Sequence, residues 1–276
     1  MLCLFLHCET AFAKQAQNIH HPLAGQAYKL KIGIIETGKP SETLAARFGN
    51  YPEMFTSLIG NFLPEAIFFT KSVVSGERVG NPDQADGWLI TGSRHGVYDD
   101  HLWINALEKF IQQCLKNGVP LIGVCFGHQI IAQAMGGKVC KSNKGWGVGV
   151  QKYSVSNKPD WMSDLRESYC SHAIHQDQIL DLPADTTVFS SSGFCNYAAL
   201  FYGNAALPKA LTVQSHPELS ADFVRQISKE RLSKIVPADV LAAGLAPLGM
   251  AVNNEDWGKV FAQYFQRMTK ARAEKP

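Results

Sequence analysis

The chain has 276 residues, of which 46% are hydrophobic and 18% are charged, and its net charge is +2. This composition fits an ordinary globular protein that is large enough to bury a sizeable core. A net charge so close to zero excludes a strong general attraction to nucleic acid or to an anionic membrane surface, so we expect neither as a partner.

Residues 1–27 form a segment that we interpret as an N-terminal extension, either disordered or signal-like. Its short apolar run and the sequence A-F-A resemble part of a secretory signal, but it has no basic start, and His7, Cys8 and Glu9 interrupt the run. No stretch of the sequence is long and apolar enough to span a bilayer. We expect a cytoplasmic protein whose single folded domain covers residues 28–276.

The first half of this domain alternates between strand and helix signals. Strands are predicted by β-rich apolar runs at residues 28–38, 65–74, 87–93 and 119–125. Helices are predicted by apolar side chains at helical spacing in residues 41–62, 102–118 and 128–137. This alternation predicts an α/β fold with an open, mostly parallel sheet and helices on both faces.

The second half of the domain has a different sequence pattern. Shorter strands, antiparallel or at an edge of the sheet, are predicted at residues 145–156 and 186–203. One more strand and its exit are predicted at residues 209–218, and from Ser220 the chain is mainly helical, in residues 221–236 and 256–272. Neither a P-loop nor a G-x-G-x-x-G dinucleotide motif is present, so we expect no cofactor.

Seven cysteines are spread irregularly along the chain, and no two of them form a C-x-x-C pair. An odd number with irregular spacing predicts neither a disulfide framework nor a zinc ribbon. We therefore expect most of these thiols to be reduced and buried as small apolar residues. They are Cys3, Cys8, Cys114, Cys125, Cys140, Cys170 and Cys195.

One cysteine stands in an unusual setting. The stretch GVCFGHQ places Cys125 between Gly123 and Gly127, at the junction of a predicted strand and a predicted helix. Glycine has no Cβ, so strand and helix can approach closely around a sharp turn, as in the G-x-S-x-G nucleophile elbow. The positive end of the helix dipole would face the thiol, and the N–H of Phe126 would point into the same space. The alternative is a cysteine buried in a tight turn.

A second motif lies 91 residues after Cys125, in the stretch VQSHPEL. Residues i and i+2 of an extended segment point to the same side, and Pro217 favours an extended backbone, so His216 and Glu218 are presented together. A carboxylate beside a histidine orients the ring and stabilises the imidazolium. The alternative is a surface turn in which the two residues are coincidental. Because the motif follows an elbow cysteine, we favour a Cys125–His216–Glu218 triad.

These motifs together resemble those of the class I (triad) glutamine amidotransferases, which combine a G-x-C-x-G-x-Q elbow with a later H-P-E. The resemblance extends from about Lys29 to the C-terminus and includes DGWLITGSRHGVYDD and HQDQILDLP. It is greatest to the free-standing GMP-synthase-like members. It implies a flavodoxin-like fold in which Cys125 is the nucleophile, His216 the base and Glu218 the residue that orients it.

The resemblance also implies roles for residues outside the triad. The N–H groups of Gly92 and Phe126 would form the oxyanion hole. Gln129 would help to hold a substrate glutamine, and the backbone around Ile174 and His175 would bind its α-amino and α-carboxyl groups. One departure is Ser215, where an aromatic residue often precedes the histidine, and this could reshape the pocket wall.

Other polar residues have weaker signals. His128 forms a C-x-x-H pair with Cys125, but no further ligands are spaced to complete a cluster, so we expect no metal site. For the side chains of His172 and His175 we expect surface or structural roles. Trp146 is either a pocket wall or a packing residue.

The first hypothesis for function is a glutaminase or amidotransferase that splits the γ-amide of glutamine through a cysteinyl thioester. Because no ATP-binding motif is visible, the ammonia would pass to a separate synthetase. The alternative is a stand-alone γ-glutamyl peptidase or hydrolase. A second alternative is a non-catalytic binding or regulatory module that keeps the fold.

Overall fold

The structure is a computed structural model that describes residues 28–274. The extension predicted for residues 1–27, which includes Cys3 and Cys8, lies outside the described residues. Within the described range, no helix combines the length and the apolarity needed to cross a lipid bilayer.

Strands and helices alternate through the first half of the chain, as predicted. The strands of the described residues are β1 (Lys31–Glu36), β2 (Ile67–Ser72), β3 (Gly87–Ile90), β4 (Leu121–Val124), β5 (Lys138–Lys141), β6 (Gly147–Val155), β7 (Ser168–His175), β8 (Asp177–Asp181), β9 (Thr186–Ser191), β10 (Ala199–Tyr202) and β11 (Ala210–Val213). The helices are α1 (Glu42–Phe48), α2 (Tyr51–Gly60), α3 (Leu102–Asn117), α4 (Phe126–Ala134), α5 (Ala221–Glu230), α6 (Ala238–Leu245) and α7 (Asn254–Ala273).

One large sheet of nine strands organises the molecule, in the order β2-β1-β3-β4-β11-β10-β9-β6-β7. The five strands from β2 to β11 are parallel, and the four strands from β10 to β7 are antiparallel to their neighbours. Strands β5 and β8 form a separate antiparallel pair. The predicted α/β architecture is therefore confirmed. Strands β9 and β10 were expected to be antiparallel or at an edge, and they are antiparallel but lie inside the sheet.

Two apolar layers cover the two faces of the sheet. Successive strand residues point to opposite faces, so Ile34 packs in one layer and Ile35 in the other. The first layer includes the fully buried Trp257 of α7, and the second includes Phe110 of α3 and Ile130 of α4. Helices therefore lie on both faces, as the sequence predicts.

Some local boundaries differ from the sequence-based expectation. The helical spacing at residues 41–62 belongs to two helices, because Gly49 adopts a φ of 82° and ends α1. Asn50 is the N-cap of α2, and its N–H donates to the carboxylate of Glu53 (2.7 Å). Helix α3 ends as predicted at Gly118, which has a left-handed φ of 68°.

The two glycines of the elbow are required by close packing. A Cβ on Gly127 would lie 2.3 Å from the carbonyl oxygen of Ile90, and a Cβ on Gly123 would lie 2.5 Å from the carbonyl oxygen of Gly127. Strands β3 and β4 therefore approach α4 at a distance that only glycine permits. This packing holds Cys125, which lies between β4 and α4, in one position.

The core also contains a histidine that must stay neutral. His128 on α4 is fully buried, and its Nδ1 lies 2.8 Å from the hydroxyl of Thr212 on β11. Burial lowers the pKa of His128 to about 3. The neutral ring therefore packs in the core. The residue lies on the helix after the elbow, as expected.

We expect His128 to make the protein sensitive to acid. Because its folded pKa is below the unfolded value of about 6.5, the unfolded state binds the extra proton, and stability is lost as the pH falls from about 6.5 toward 3. His128→Asn keeps a hydrogen-bonding group near Thr212 but removes this proton uptake. Urea unfolding at several pH values should give a smaller dependence on pH for the variant, whatever its absolute stability. An equal dependence in both proteins would contradict the prediction.

Candidate active site

Three neighbouring parallel strands end at the same edge of the sheet. Gly92, Cys125 and His216 follow the last residues of β3, β4 and β11 by two, one and three positions. The N–H of Cys125 donates a hydrogen bond to the carbonyl of Val213, the last residue of β11 (2.9 Å). The crevice at the carboxyl ends of parallel strands is the usual binding place in α/β sheets.

The backbone of Cys125 has a strained conformation. Its φ of 54° and ψ of −102° are unusual for a residue that is not glycine. The residue precedes the first turn of α4, so the N–H of Phe126 begins a helix and has no partner within it. Such strain at a strand-to-helix junction is typical of a nucleophile elbow.

His216 and Glu218 form a tight pair. His216 Nδ1 donates a hydrogen bond to Glu218 Oε1 (2.7 Å), and the side chains are 10% and 1% exposed. The N–H of His216 donates to the carbonyl of His172 on β7 (2.8 Å), which fixes the backbone of the motif. The motif is thus a buried element of the structure and not a surface turn.

The charges around His216 decide its protonation. Burial by itself lowers the pKa of His216, but the carboxylate of Glu218 and the nearby sulfur of Cys125 raise it by more than burial lowers it. The net result is a pKa well above the ordinary value for histidine. A Cβ placed on Gly92 would lie 2.9 Å from Cε1 of His216 and 3.6 Å from Cβ of Cys125, so both residues border the same small space, and the triad remains a prediction.

Hydrogen bonds from two hydroxyl groups stabilise the loop that carries Gly92. Thr37, after β1, donates to the carbonyl of Thr91 (2.9 Å), and Ser93 donates to the carbonyl of Thr37 (2.7 Å). In a trans peptide the C=O and N–H groups point in opposite directions, so the N–H of Gly92 points away from Thr37. A Cβ on Gly92 would lie 2.9 Å from Cε1 of His216.

One pocket of about 470 Å³ contains nearly all of the predicted site. The volume lies in the range of about 300–1,000 Å³ that is typical of small-molecule sites. Phe126 is the predicted residue that does not line the pocket; its side chain is buried, and its predicted contribution is the backbone N–H. The predicted residues that line the pocket are Gly92, Cys125, Gln129, Ile174, His175, His216 and Glu218.

The side chain of Gln129 forms two hydrogen bonds within the protein. Its Nε2 donates to the carbonyl of Asp177 (2.8 Å) and to Oε1 of Gln214 (3.0 Å). Gln129 therefore connects α4 to the beginning of β8. Its predicted contact with substrate remains a prediction.

The histidines of β7 are structural in their side chains. His172 and His175 are 0% and 4% exposed, so of the expected surface or structural roles the structural one fits both side chains. Their Nδ1 atoms bond the carbonyls of Leu219 (3.1 Å) and Asp177 (3.2 Å). Burial lowers the pKa of His175 to about 4, so its ring is neutral at neutral pH. The substrate contact predicted for the backbone here remains a prediction.

The pocket also contains residues that the sequence-based reasoning missed. Arg231 lines it and is half-buried, and burial lowers its pKa. Among residues 28–274, no acidic side chain forms an ion pair with Arg231. Trp146 lines the pocket and also packs against an apolar cluster, so both of its predicted roles fit. The sequence contains little indication of a functional role for Arg231, because this residue lies in a predicted helix that contains many charged residues.

A possible metal-binding cluster lies at the same pocket. His95, Asp99 and His101 could together hold a metal ion, and His95 and Asp99 line the pocket. The sequence-based expectation of no metal site considered only the pair of Cys125 and His128. The spacing H-x₃-D-x-H was visible in the sequence, but on a loop it predicts no common face.

Comparisons with known proteins point in one direction. A family model described as "Glutamine amidotransferase class-I" matches residues 75–225, more than half of the chain. Gamma-glutamyl peptidase 3 of Arabidopsis thaliana is 30% identical over 196 residues, which cover 68% of this chain and 76% of that protein. A GMP synthase (glutamine-hydrolyzing) of Vibrio parahaemolyticus is 29% identical over 141 residues, which cover 49% of this chain and 24% of that protein.

Solved structures share the fold at lower identity. A glutamine amidotransferase from Thermotoga maritima superposes with a TM-score of 0.66 and 20% identity, covering 88% of this chain and 100% of that chain. A second one, from Methylobacillus flagellatus, has a TM-score of 0.63 and 18% identity, covering 88% of this chain and 93% of that chain. These likenesses confirm the flavodoxin-like fold that the motifs implied.

Proposed function

The chain belongs to the class-I glutamine amidotransferase family, and from this membership we propose that it hydrolyses γ-glutamyl amide bonds with Cys125 as the nucleophile. The observation that carries the proposal is the arrangement of Cys125, His216 and Glu218 at one pocket, with a 2.7 Å hydrogen bond between the last two. A thiol, an imidazole and a carboxylate in this arrangement are able to perform nucleophilic acyl transfer.

The first half of the reaction forms a thioester. The sulfur of Cys125 attacks the γ-carbonyl carbon, and the electron pair of the carbonyl moves to its oxygen. The N–H groups of Gly92 and Phe126 stabilise this oxyanion. His216, whose raised pKa keeps it protonated, gives a proton to the amine nitrogen, the C–N bond breaks and the amine leaves.

The second half releases glutamate. His216, now neutral, removes a proton from water, and the water oxygen attacks the carbonyl carbon of the thioester. The C–S bond breaks, and the sulfur leaves as the thiolate partner of the imidazolium. One water is consumed, and one amine and one glutamate are formed in each cycle.

We expect Gly92→Ala to displace the backbone N–H at this position and so to lower the turnover of a γ-glutamyl substrate by about 10²-fold or more, the usual effect of losing one oxyanion donor. The added Cβ would lie 2.9 Å from Cε1 of His216 and 3.6 Å from Cβ of Cys125, so the ring or the loop must move. Gly193→Ala is the matched control, because a Cβ there meets nothing within 4 Å. Equal turnover in the two variants would contradict the role of Gly92.

The similarity to plant γ-glutamyl peptidases favours a γ-glutamyl peptide over glutamine as the substrate. A glutaminase that supplies a separate synthetase was the first hypothesis from the sequence, and the stand-alone γ-glutamyl hydrolase was its alternative. We place the alternative first. The match to GMP synthase supports the glutaminase as the second candidate.

The wall of the pocket supports a leaving group larger than ammonia. The segment that includes α5 and the turn after it contributes apolar side chains and the guanidinium of Arg231, which has no acidic partner among the described residues. A half-buried cation gains most from an anion that replaces lost water. We assign Arg231 to the carboxylate of an amino acid joined to the γ-carboxyl of glutamate.

Arg231→Gln should therefore separate the two candidate substrates. A hydrogen bond to a charged group contributes about 1.5–3 kcal/mol, so we expect kcat/KM for a γ-glutamyl dipeptide to fall roughly 10- to 100-fold. The rate with glutamine should change much less, because ammonia has no carboxylate. An equal loss for both substrates would contradict the assignment of Arg231 to the leaving group.

The direct test is an assay of the isolated protein with glutamine and with γ-glutamyl dipeptides. Release of amino acid and glutamate from the dipeptide, at a rate well above that with glutamine, is the expected result. Faster hydrolysis of glutamine would favour the glutaminase with a separate ammonia acceptor. Failure to hydrolyse either, with no trapped thioester, would favour a non-catalytic module.

A further inference from the structure

Three side chains that ligate metals come together on the loop between β3 and α3. His95, Asp99 and His101 each offer one ligand atom, and these atoms lie within 4.8 Å of one another. His95 Nδ1 is 3.0 Å from His101 Nε2 and 3.6 Å from Asp99 Oδ2. Two imidazoles and one carboxylate therefore converge on one point.

The spacing of these atoms matches the requirements of a small divalent ion. Metal–nitrogen and metal–oxygen bonds of about 2.0–2.1 Å at tetrahedral angles place neighbouring ligand atoms about 3.3 Å apart. The two separations, 3.0 Å and 3.6 Å, lie on either side of that value. Imidazole nitrogen and carboxylate oxygen suit divalent first-row transition metals, and three protein ligands leave at least one position open.

The surrounding contacts hold the ligands in place before any ion binds. Trp103 stacks on the ring of His101, with the ring planes at 13°. The hydroxyl of Ser93 accepts a hydrogen bond from the N–H of His95 (3.2 Å). Asp99 Oδ2 accepts one from the N–H of Gly96 (3.0 Å). Partners of this kind orient the ligands of known metal sites.

We propose that His95, Asp99 and His101 bind a divalent transition-metal ion at the wall of the active-site pocket. His95 and Asp99 line the same pocket as Cys125. The ion would stabilise the conformation of the loop that begins with Gly92. A water would occupy the open coordination position of the ion.

The test is a calorimetric titration of Zn²⁺ into the untagged full chain carrying Cys125→Ala, which removes the thiol at the pocket. The sequence contains other potential ligands, including Cys3, His7 and Cys8, so the comparison between variants decides. We expect His101→Gln and Asp99→Asn each to remove one Zn²⁺ site or to weaken it more than about 100-fold, since the loss of an outer partner alone costs about 10- to 100-fold.

Two controls make the result specific. Tyr98→Phe changes the same loop, where the tyrosine donates to Asp177 (2.9 Å), but removes no ligand, and its Zn²⁺ affinity should equal that of the parent. Co²⁺ in place of Zn²⁺ should give d–d absorption that His101→Gln removes, and the lost spectrum should contain no sulfur-to-cobalt charge-transfer band.

The stability of the fold provides an independent readout. Saturating Zn²⁺ should raise the Tm of the parent, and the rise should be smaller in both ligand variants, because an ion that binds only the folded state stabilises it. If His101→Gln fails to fold, Asp99→Asn carries the test. Unchanged Zn²⁺ stoichiometry and affinity in the variants, or the absence of binding to the parent, would overturn the proposal. Neither result depends on catalytic activity.

Discussion

Cys125→Ser is expected to lower the hydrolysis of a γ-glutamyl amide by roughly 10⁴- to 10⁶-fold, as the loss of a triad nucleophile does in other acyl-transfer enzymes. The serine hydroxyl occupies nearly the same space at the elbow, so the fold should be retained. The loss would arise because an alcohol is a weaker nucleophile than a thiolate in a site arranged for an imidazolium partner.

The assignment of the nucleophile has a second measurement. A glutamine analogue with a diazo-ketone group should label Cys125 and none of the six other cysteines, as read by mass spectrometry of proteolytic peptides. Cys140→Ser is the matched control, since this thiol is also free and more accessible. Retention of activity in Cys125→Ser, or labelling that survives it, would eliminate the proposed chemistry.

Glu218→Gln should reduce kcat by on the order of 10²- to 10⁴-fold, the range observed for disrupted acid–base catalysis. In the wild-type protein, His216 Nδ1 donates to a carboxylate oxygen of Glu218 at 2.7 Å. The amide of the variant keeps the shape of the side chain and still offers an oxygen to Nδ1. What it removes is the negative charge, which is the first of the influences that raise the pKa of His216 against the effect of burial.

The pH dependence of this variant should reveal that charge. Without it the protonated ring is less favoured, so the pKa of His216 falls, and the alkaline limb of the kcat/KM profile should move to lower pH. Glu230→Gln is the control, because Glu230 on α5 bonds Ser41 (2.7 Å) and does not line the pocket. A profile that coincides with the wild type would show that Glu218 does not act through the charge of His216.

Local sequence patterns were sufficient to predict the separate motifs of the site. The elbow could be predicted because Gly123 and Gly127 are needed within a few residues of Cys125, where strand and helix meet. The pairing of His216 with Glu218 could be predicted because an extended backbone repeats every two residues. The end of helix α3 was predicted to within one residue, since a regular apolar stripe and a terminal glycine are both local signals.

The strands that escaped prediction have a common cause. Strand β7 buries Ser171 and His172 completely, on its two opposite faces, so each face contains a buried polar residue and the usual alternation is hidden. Strands β5 and β8 have only 4 and 5 residues, too few for a periodic signal. A buried polar strand can be recognised only when its hydrogen-bonding partners are known, and those partners are distant in sequence.

The sequence by itself determined the α/β class, the elbow at Cys125 and the chemistry of the H-P-E motif, because each depends on residues that are close along the chain. Only the tertiary structure decided that β4 and β11 are neighbours, which brings His216 to Cys125 although the two residues are 91 positions apart in the sequence. It also brought Arg231 to the pocket and turned His95, Asp99 and His101 toward one another. The physical reason is that strand order and loop conformation arise from packing of the whole chain, which local periodicity does not encode.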